Sequence, residues 1–514
     1  MDLSAPDRHL VSFAFEAWGH TRPLIAFTAR VVKTRPVLVT LFTTDAFYDR
    51  IKTELARSFE PGEEAYMSRF RIISVERGNT WAVELLDSAF ETAWRKLLNG
   101  EDIVCTKTGE RFPTILQPSA LIIEFFSHGP IREVRASCGD KVKIYIWLPN
   151  MLTAFWRTCG PEDMGGLGDA HQKALEEAQR TGKSYDEIAS RMIFGSSGAV
   201  IRAPGMPPMY DYEYHPQRFT LLEQLGGARF TESFEAFKLA DGIVSVTTES
   251  YEREMVRATR KWGEDESKQV FVVGPLLVSG ANAVAYEKAS SVAAAEVEAF
   301  LQDTMTAYGE KSVLYISFGS LFWPVEKPET LWAFLDVVME LSIPFILSHA
   351  SPLATVPDGV KEKVKAYGKG VIAPWNPQQY ILNHPATGWF VTHGGQNSVL
   401  ESLAAGVPQI FWPFEGDQPM NAVNMTENFD AAYELIEVRT GDGEHPILRN
   451  GKRPAGTIEA VKAEARDVLT KAFGEDGASK RERFLQLQQQ VLSEWDEGGA
   501  SRRDFMAFLD SLGA

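Results

Sequence analysis

Residues 387–418 read TGWFVTHGGQNSVLESLAAGVPQIFWPFEGDQ. An apolar run ends at His393, two glycines follow, a helix-length stretch opens on Gln-Asn-Ser, and a second apolar run begins at Pro408. Strand, tight turn, helix and strand in so short a span describe a βαβ unit with parallel strands. Gly394 and Gly395 let the backbone turn sharply and come close to a ligand. Gln396, Asn397 and Ser398 then open a helix whose unpaired backbone N–H groups and positive dipole end suit a phosphate. Asn397 and Glu401 lie one turn apart and share a face. A carboxylate below a phosphate site repels phosphate, so Glu401 suits neutral hydroxyls further along the same ligand, such as those of a ribose. The ligand so described is a nucleotide with its diphosphate at the helix start.

Working outward, short apolar runs alternate with helix-length amphipathic segments. In the first half they are HLVSFAF (9–15), PVLVTLFT (36–43), FRIISV (70–75), ALIIEFF (120–126), KVKIYIWL (141–148), GIVSVTT (242–248) and VFVVGPL (270–276). In the second half they are SVLYISF (312–318), PFILSHA (344–350), GVIAPW (370–375), TGWFVTH (387–393), PQIFWPF (408–414) and AAYELI near 432–436. Continuously apolar strands joined by crossover-length segments indicate parallel sheets covered by helices on both faces. Two such series predict an α/β chain of two doubly wound domains, residues 1–276 and 312–480. A linker and opening helix fill 277–311, where Ala, Ser and charged residues dominate. Residues 159–218, rich in Gly, Pro, Met and Tyr, read as long loops around one amphipathic helix, and loops of that length usually serve a site.

The chain has 514 residues, too many for one ordinary core. Its net charge of −17 excludes a basic nucleic-acid surface and adhesion to an anionic membrane. Cys105, Cys138 and Cys159 lack metal-ligand spacing and read as reduced thiols. No apolar window is long enough to span a bilayer and no secretory leader is evident, so the expected location is cytoplasmic. The expected state is a monomer.

By the open α/β rule the nucleotide lies outside the carboxyl ends of the strands. Three other strand ends then contribute. Trp375, Asn376 and Gln378 offer an aromatic plane for a base and an amide for its edge. Asp417 and Gln418 offer a carboxylate and an amide for sugar hydroxyls. Gly319 and Ser320, in SFGS, face phosphate oxygens. Each feature has a plainer reading: a Gly-Gly turn is often only a turn, and a single Trp at a strand end is often core. Their joint spacing separates the two.

That spacing, WNPQQYILNHPATGWFVTHGGQNSVLESLAAGVPQIFWPFEGDQ (375–418), resembles the signature box of the family 1 UDP-sugar-dependent glycosyltransferases. The order Trp-x-Pro-Gln, His-x-Gly-x-Asn-Ser, Glu, Gly-Val-Pro, Pro and Asp-Gln is matched at full length. The likeness extends to ISFGS, VVGPLL and the first strand with its Gly-His, so it covers most of the chain outside 159–218. It implies a GT-B fold, two Rossmann-like domains facing across a cleft, with the last helices, 481–514, returning to the first domain. It implies that Trp375 stacks on uracil and Gln378 lies near the uridine. His393, Gly395, Asn397 and Ser398 hold the diphosphate, Glu401 the ribose, and Asp417 with Gln418 the sugar. Gln in the last place goes with glucose more often than galactose, so UDP-glucose is the expected donor substrate. Two departures stand out: Gln396 replaces a Trp of the plant pattern, and Gly394 replaces a frequent Cys, a change expected to be harmless.

Sugar transfer needs a base for the acceptor hydroxyl. In AFEAWGHTRP (14–23) the strand ends, Gly19 turns, and Pro23 falls where a first helical turn would begin. His20 is thereby held at a strand's carboxyl end, and His titrates near neutrality. A capping His is the plainer alternative, but the family's catalytic His matches His20. An imidazolium needs an acceptor on its other nitrogen. The resemblance places that partner at Glu124, where the family has Asp, with Ser127 and His128 as competitors. Departing diphosphate is expected to be met by His393 and the 395–398 helix end, with no metal. The expected reaction inverts the anomeric carbon, giving a β-O-glycoside. Trp18, Phe125, Met206 and Tyr210, with Phe15, Trp81, Phe126 and Met209, are candidates to line a pocket for a lipophilic phenol, terpenoid, sterol or hydroxylated lipid. Rival readings are another UDP-sugar donor, an epimerase or hydrolase on the same frame, and a silent protein that kept the donor box. A dehydrogenase is disfavoured because no Gly-x-Gly-x-x-Gly follows the first strand.

Overall fold

The computed structural model describes residues 5–77, 83–219, 226–277 and 294–513. Trp81 and most of the linker, 278–293, lie outside the described residues. The chain forms two compact units, 1–193 with 225–283 and 494–514, and 194–224 with 284–493. The sequence reading drew its domain boundary near 277. The units divide the chain at four places, and 194–224 packs within the second unit.

The first unit is built on seven parallel strands: β1 (Arg8–Phe13), β2 (Val37–Thr44), β3 (Phe70–Glu76), β4 (Ala120–Glu124), β5 (Lys143–Leu148), β6 (Gly242–Ser245) and β7 (Gln269–Val272). Their spatial order is β7-β6-β5-β4-β1-β2-β3. Each grows from an apolar run, and β2 is buried along its whole length because helices cover both faces. Chain order reverses between β1 and β4, so their carboxyl ends open the crevice where doubly wound sheets bind ligands. Register closes that end evenly, pairing Phe13 with both Phe42 and Ile123.

The second unit carries β8 (Val313–Ser317), β9 (Phe345–Ser348), β10 (Gly370–Ala373), β11 (Thr387–Thr392), β12 (Gln409–Phe411) and β13 (Tyr433–Glu434). Their order β10-β9-β8-β11-β12-β13 repeats the same topology, with its reversal between β8 and β11. Leu314, Phe345, Trp389 and Ile410 pack beneath the helices Glu329–Glu340 and Ile458–Ala472. A parallel α/β architecture of two doubly wound sheets thus follows from the thirteen apolar runs.

Three local readings change. The helix after β1, α1 (Trp18–Thr34), begins before Pro23, because Ala17 O already accepts from His20 N at 2.9 Å and Thr21 N at 3.1 Å. The single helix expected in 159–218 is two, Ala170–Thr181 and Tyr185–Phe194, parted at Gly182, which caps the first in a left-handed conformation at φ 72°. The C-terminal crossing begins later than 481: Glu475–Ser493 belongs to the second unit, and only the last helix, Ala500–Ser511, packs in the first.

Candidate active site

At the first sheet's reversal point, β1 hands over to α1 and β4 ends at Glu124. His20 Nδ1 stands 3.0 Å from Glu124 Oε1. The longer side chain of Glu, in place of Asp, spans the gap. Glu124 is wholly buried, and burial raises its carboxyl above the usual range while His20 pulls it down. When ionised, the Glu124 carboxylate accepts the Nδ1 proton, which leaves Nε2 with the lone pair. Trp147 Nε1 donates to His20 O at 3.0 Å and fixes the first turn of α1. The rings of Phe15 and Phe126 each lie 6.1 Å from the imidazole. His128 is engaged elsewhere, its Nδ1 2.6 Å from Glu232 Oε2, and Ser127 stands at the N-cap position of the helix His128–Cys138 without a side-chain capping bond.

The acceptor candidates separate. Phe125 is buried between Phe126 at 4.8 Å and Phe155 at 5.8 Å. Trp18 carries the Arg50 guanidinium over its ring at 3.7 Å and meets the edge of Phe47. The rings of Phe15 and Phe126 are the ones set beside His20 among these candidates. Met206 and Tyr210 belong to the second unit, where Tyr210 stacks on Tyr212 at 5.0 Å.

The second sheet's reversal point gathers the signature box. Gly319 has φ 74°, and a Cβ there would lie 2.9 Å from the His393 ring, so only glycine lets that ring pack against the β8 turn. Ser320 follows it, partly buried. His393 stacks on Phe322 at 5.7 Å, and burial pushes its pKa down to about 4. Burial thus disfavours the imidazolium in the unliganded protein. Positive potential comes from the start of the helix Gln396–Ala405, entered through Gly395. Gly394 is not a neutral replacement for Cys either. Its φ is 89°, and a Cβ would sit 2.7 Å from Phe411. Asn397 and Ser398 stand in the first turn of this helix.

Glu401 is buried and clamped, Oε2 accepting from Gln378 Nε2 at 2.6 Å and Oε1 from Gln379 Nε2 at 3.1 Å. Tyr315 OH donates to Gln378 Oε1 at 3.3 Å. The carboxylate retains lone pairs for further donors. Trp375 is 41% exposed at the end of β10, a ring presented to solvent, while Asn376 turns inward and donates to Leu347 O at 3.4 Å. Asp417 Oδ2 accepts from Gln396 N at 3.1 Å, tying the sugar loop to the helix start. Gln418 Oε1 accepts from Phe414 N and Glu415 N, so its NH₂ group is what it can offer a ligand.

Sequence reading missed Gln379, Tyr315, Phe322 and Asn421, whose Nδ2 donates to Gly394 O at 2.9 Å. Only Gln379 had a signal, being the second of two adjacent amides. Among the described residues no group of three His, Cys, Asp or Glu could hold a metal ion, and no helix is long and apolar enough to cross a membrane.

Two doubly wound sheets, each with its reversal point dressed for a ligand, define a nucleotide-sugar transferase architecture. The family model for UDP-glucoronosyl and UDP-glucosyl transferase matches residues 278–440. UDP-glycosyltransferase eriJ of Hericium erinaceus is 32% identical over 526 aligned residues, covering 99% of this chain and 100% of that one. Anthocyanidin 3-O-glucosyltransferase of Zea mays is 33% identical across 39% of this chain and 38% of its own length. In fold, a transferase from Siraitia grosvenorii solved in complex with UDP superposes with a TM-score of 0.68 at 19% identity, covering 99% of this chain and 100% of that one. The chain belongs to the UDP-glycosyltransferase family, and it is a UDP-dependent glycosyltransferase of the GT-B fold.

Proposed function

We propose that the chain moves glucose from UDP-glucose to a hydroxyl of a lipophilic small molecule and inverts the anomeric carbon. The observation that carries this is the His20–Glu124 pair at the first sheet's reversal point, 3.0 Å apart and backed by Phe15 and Phe126. His20 Nε2 takes the acceptor proton as the oxygen attacks the anomeric carbon, opposite the UDP leaving group. Glu124 holds the tautomer and stabilises the imidazolium that forms. Departing diphosphate is met by backbone N–H groups at the start of Gln396–Ala405 and by the neutral His393 as a hydrogen-bond donor. These are the chain's own groups, and no metal enters the scheme. Trp375 carries the uracil, Gln378 its uridine, Glu401 the ribose hydroxyls, and Asp417 with Gln418 the sugar.

Glucose as the donor sugar is supported by the name of the maize relative and by Gln418. A lipophilic acceptor is supported by the same relative and by the aromatic rings around His20. The expected location is cytoplasmic and the expected state monomeric.

The test is incubation with UDP-glucose and a panel of phenols, terpenoid alcohols and sterols, reading UDP release and product mass. The product should be a β-glucoside by its anomeric coupling. His20→Ala should lower turnover by about 10²–10⁴-fold while UDP binding by calorimetry is unchanged. A fully active His20→Ala enzyme removes the base from the scheme, and an α-linked product removes the inversion.

A further inference from the structure

The turn that carries Asp417 and Gln418 is weakly determined by its own backbone. It runs from Glu415 to Gln418, closed by Gln418 N donating to Glu415 O at 3.3 Å, with Gly416 at φ 69° and Asp417 at φ −81°. Glycine makes the left-handed position possible, and the same freedom leaves the turn loosely fixed. Its geometry matters at one place. Gln418 Oε1 accepts from Phe414 N at 2.8 Å and Glu415 N at 3.2 Å. Those two bonds decide which end of the amide is left for a ligand.

A brace reaches this turn from 194–219, which packs in the same unit. His215 Nδ1 lies 2.7 Å from Glu415 Oε2. An ionised carboxylate can only accept, so Nδ1 donates. The two side chains are 22% and 9% exposed, so water competes for this bond less than at an open surface. Gln217 N donates to Phe414 O at 3.4 Å, and the rings of Phe219 and Phe414 lie 6.3 Å apart. The brace is itself well anchored. His215 follows the turn Asp211–Tyr214, whose Tyr212 OH donates to Pro446 O at 2.6 Å. Glu213 in that turn is fully buried and accepts from Leu448 N at 3.0 Å and Arg449 Nη1 at 2.9 Å. The His215–Glu415 bond thus runs from a fixed point to a pliable one.

We propose that His215 is a positioning residue for the donor sugar: its bond to Glu415 holds the turn so that Gln418 keeps its NH₂ group, and not its oxygen, toward the sugar. This rests on Asp417 and Gln418 meeting the sugar, as the proposed function has it. Trp375 and Gln378 follow β10, and Glu401 stands in the helix Gln396–Ala405. The effect of His215 therefore falls on the hexose and not on the uridine.

Calorimetric titration with UDP and with UDP-glucose, no acceptor present, tests it. His215→Ala should weaken UDP-glucose binding by roughly threefold to tenfold, the scale of one lost hydrogen bond, and leave the Kd for UDP unchanged. His215→Asn, whose amide nitrogen can stand where Nδ1 stands, should restore wild-type binding. Glu415→Ala removes the same bond from its other end and covers the case in which His215→Ala does not fold. When both alanines are introduced the two losses should not multiply, because one bond is broken. The proposal is overturned if the alanine variants bind UDP-glucose as the wild type does, or if UDP weakens as much as UDP-glucose. It is also overturned if His215→Asn binds as poorly as His215→Ala, or if the two losses multiply. Failure of the proposed donor site itself looks different: the wild type binds neither UDP nor UDP-glucose.

Discussion

Glu124 shows how one side chain is made to serve a proton transfer. Wholly buried at the end of β4, its carboxyl is raised by desolvation and drawn down by His20 first and by the Phe15 backbone second, so the charge of Glu124 leans on His20. Changing Glu124 to Gln keeps shape and volume but replaces the acceptor of the Nδ1 proton with an amide, which supports the wrong tautomer as readily as the right one. We expect kcat to fall by about 10²–10⁴-fold, with KM for UDP-glucose unchanged and the fold intact by circular dichroism. Retained kcat would mean that Glu124 is a structural partner alone. At this scale the sequence was partly legible. His20 could be found because a Gly-His after a first strand is a pattern. Its ring partners Phe15 and Phe126 could not be separated from Trp18 and Phe125, since neighbouring aromatics differ only in which way the turn points them.

The helix Gln396–Ala405 carries most of the donor site, and its first residue is its least comfortable. Gln396 is 2% exposed, and both atoms of its side-chain amide are buried without a hydrogen-bond partner among the described residues. Its backbone N–H donates to Asp417 Oδ2. An amide kept dry and unpaired costs about 1–3 kcal/mol. Gln396→Met, nearly equal in volume and apolar, should therefore stabilise the unliganded protein by about 1–2 kcal/mol. KM for UDP-glucose should rise in the same variant, because a buried amide beside Asp417 is placed to meet a sugar hydroxyl. Thermal unfolding and donor titration read the two effects. A lower melting temperature with unchanged donor KM would refute both halves. Elements were the most legible level of the molecule, because continuous apolar runs are written in the composition of each strand. What escaped were polar attachments without periodicity. Besides Phe219, buried in the second unit's core, residues 194–219 join that unit through scattered polar bonds: Gln217 Nε2 to Val438 O, Glu213 to Leu448 N and Arg449, and Ser196 to Asp442. No pattern of apolar residues announces such ties.

At the scale of the molecule, the chain's last helix completes a core begun by its first strand. Phe505, Phe508 and Leu509 of Ala500–Ser511 are buried in the first unit's core. Phe508 lies 5.2 Å from Phe27, 5.1 Å from Tyr145 and 5.6 Å from Phe271. Polar ties set the register: Asp504 Oδ2 accepts from Val272 N at 2.7 Å and Arg260 Nη2 at 3.0 Å, and Tyr145 OH meets Ser511 Oγ at 2.8 Å. Three large side chains buried at about 1.5–3 kcal/mol each approach the whole stability of an ordinary domain. Removing residues 499–514 should therefore cost the first unit its cooperative transition, while the second unit, whose core holds none of these residues, keeps its own. Under the proposed assignment UDP binds the second unit, so calorimetry should still register UDP and scanning calorimetry should still show a transition that UDP shifts upward. Transfer should vanish with the fold around His20 and Glu124. An unaltered melting profile after truncation would show that the helix is an appendage, and loss of UDP binding would show that the donor site depends on the first unit's integrity.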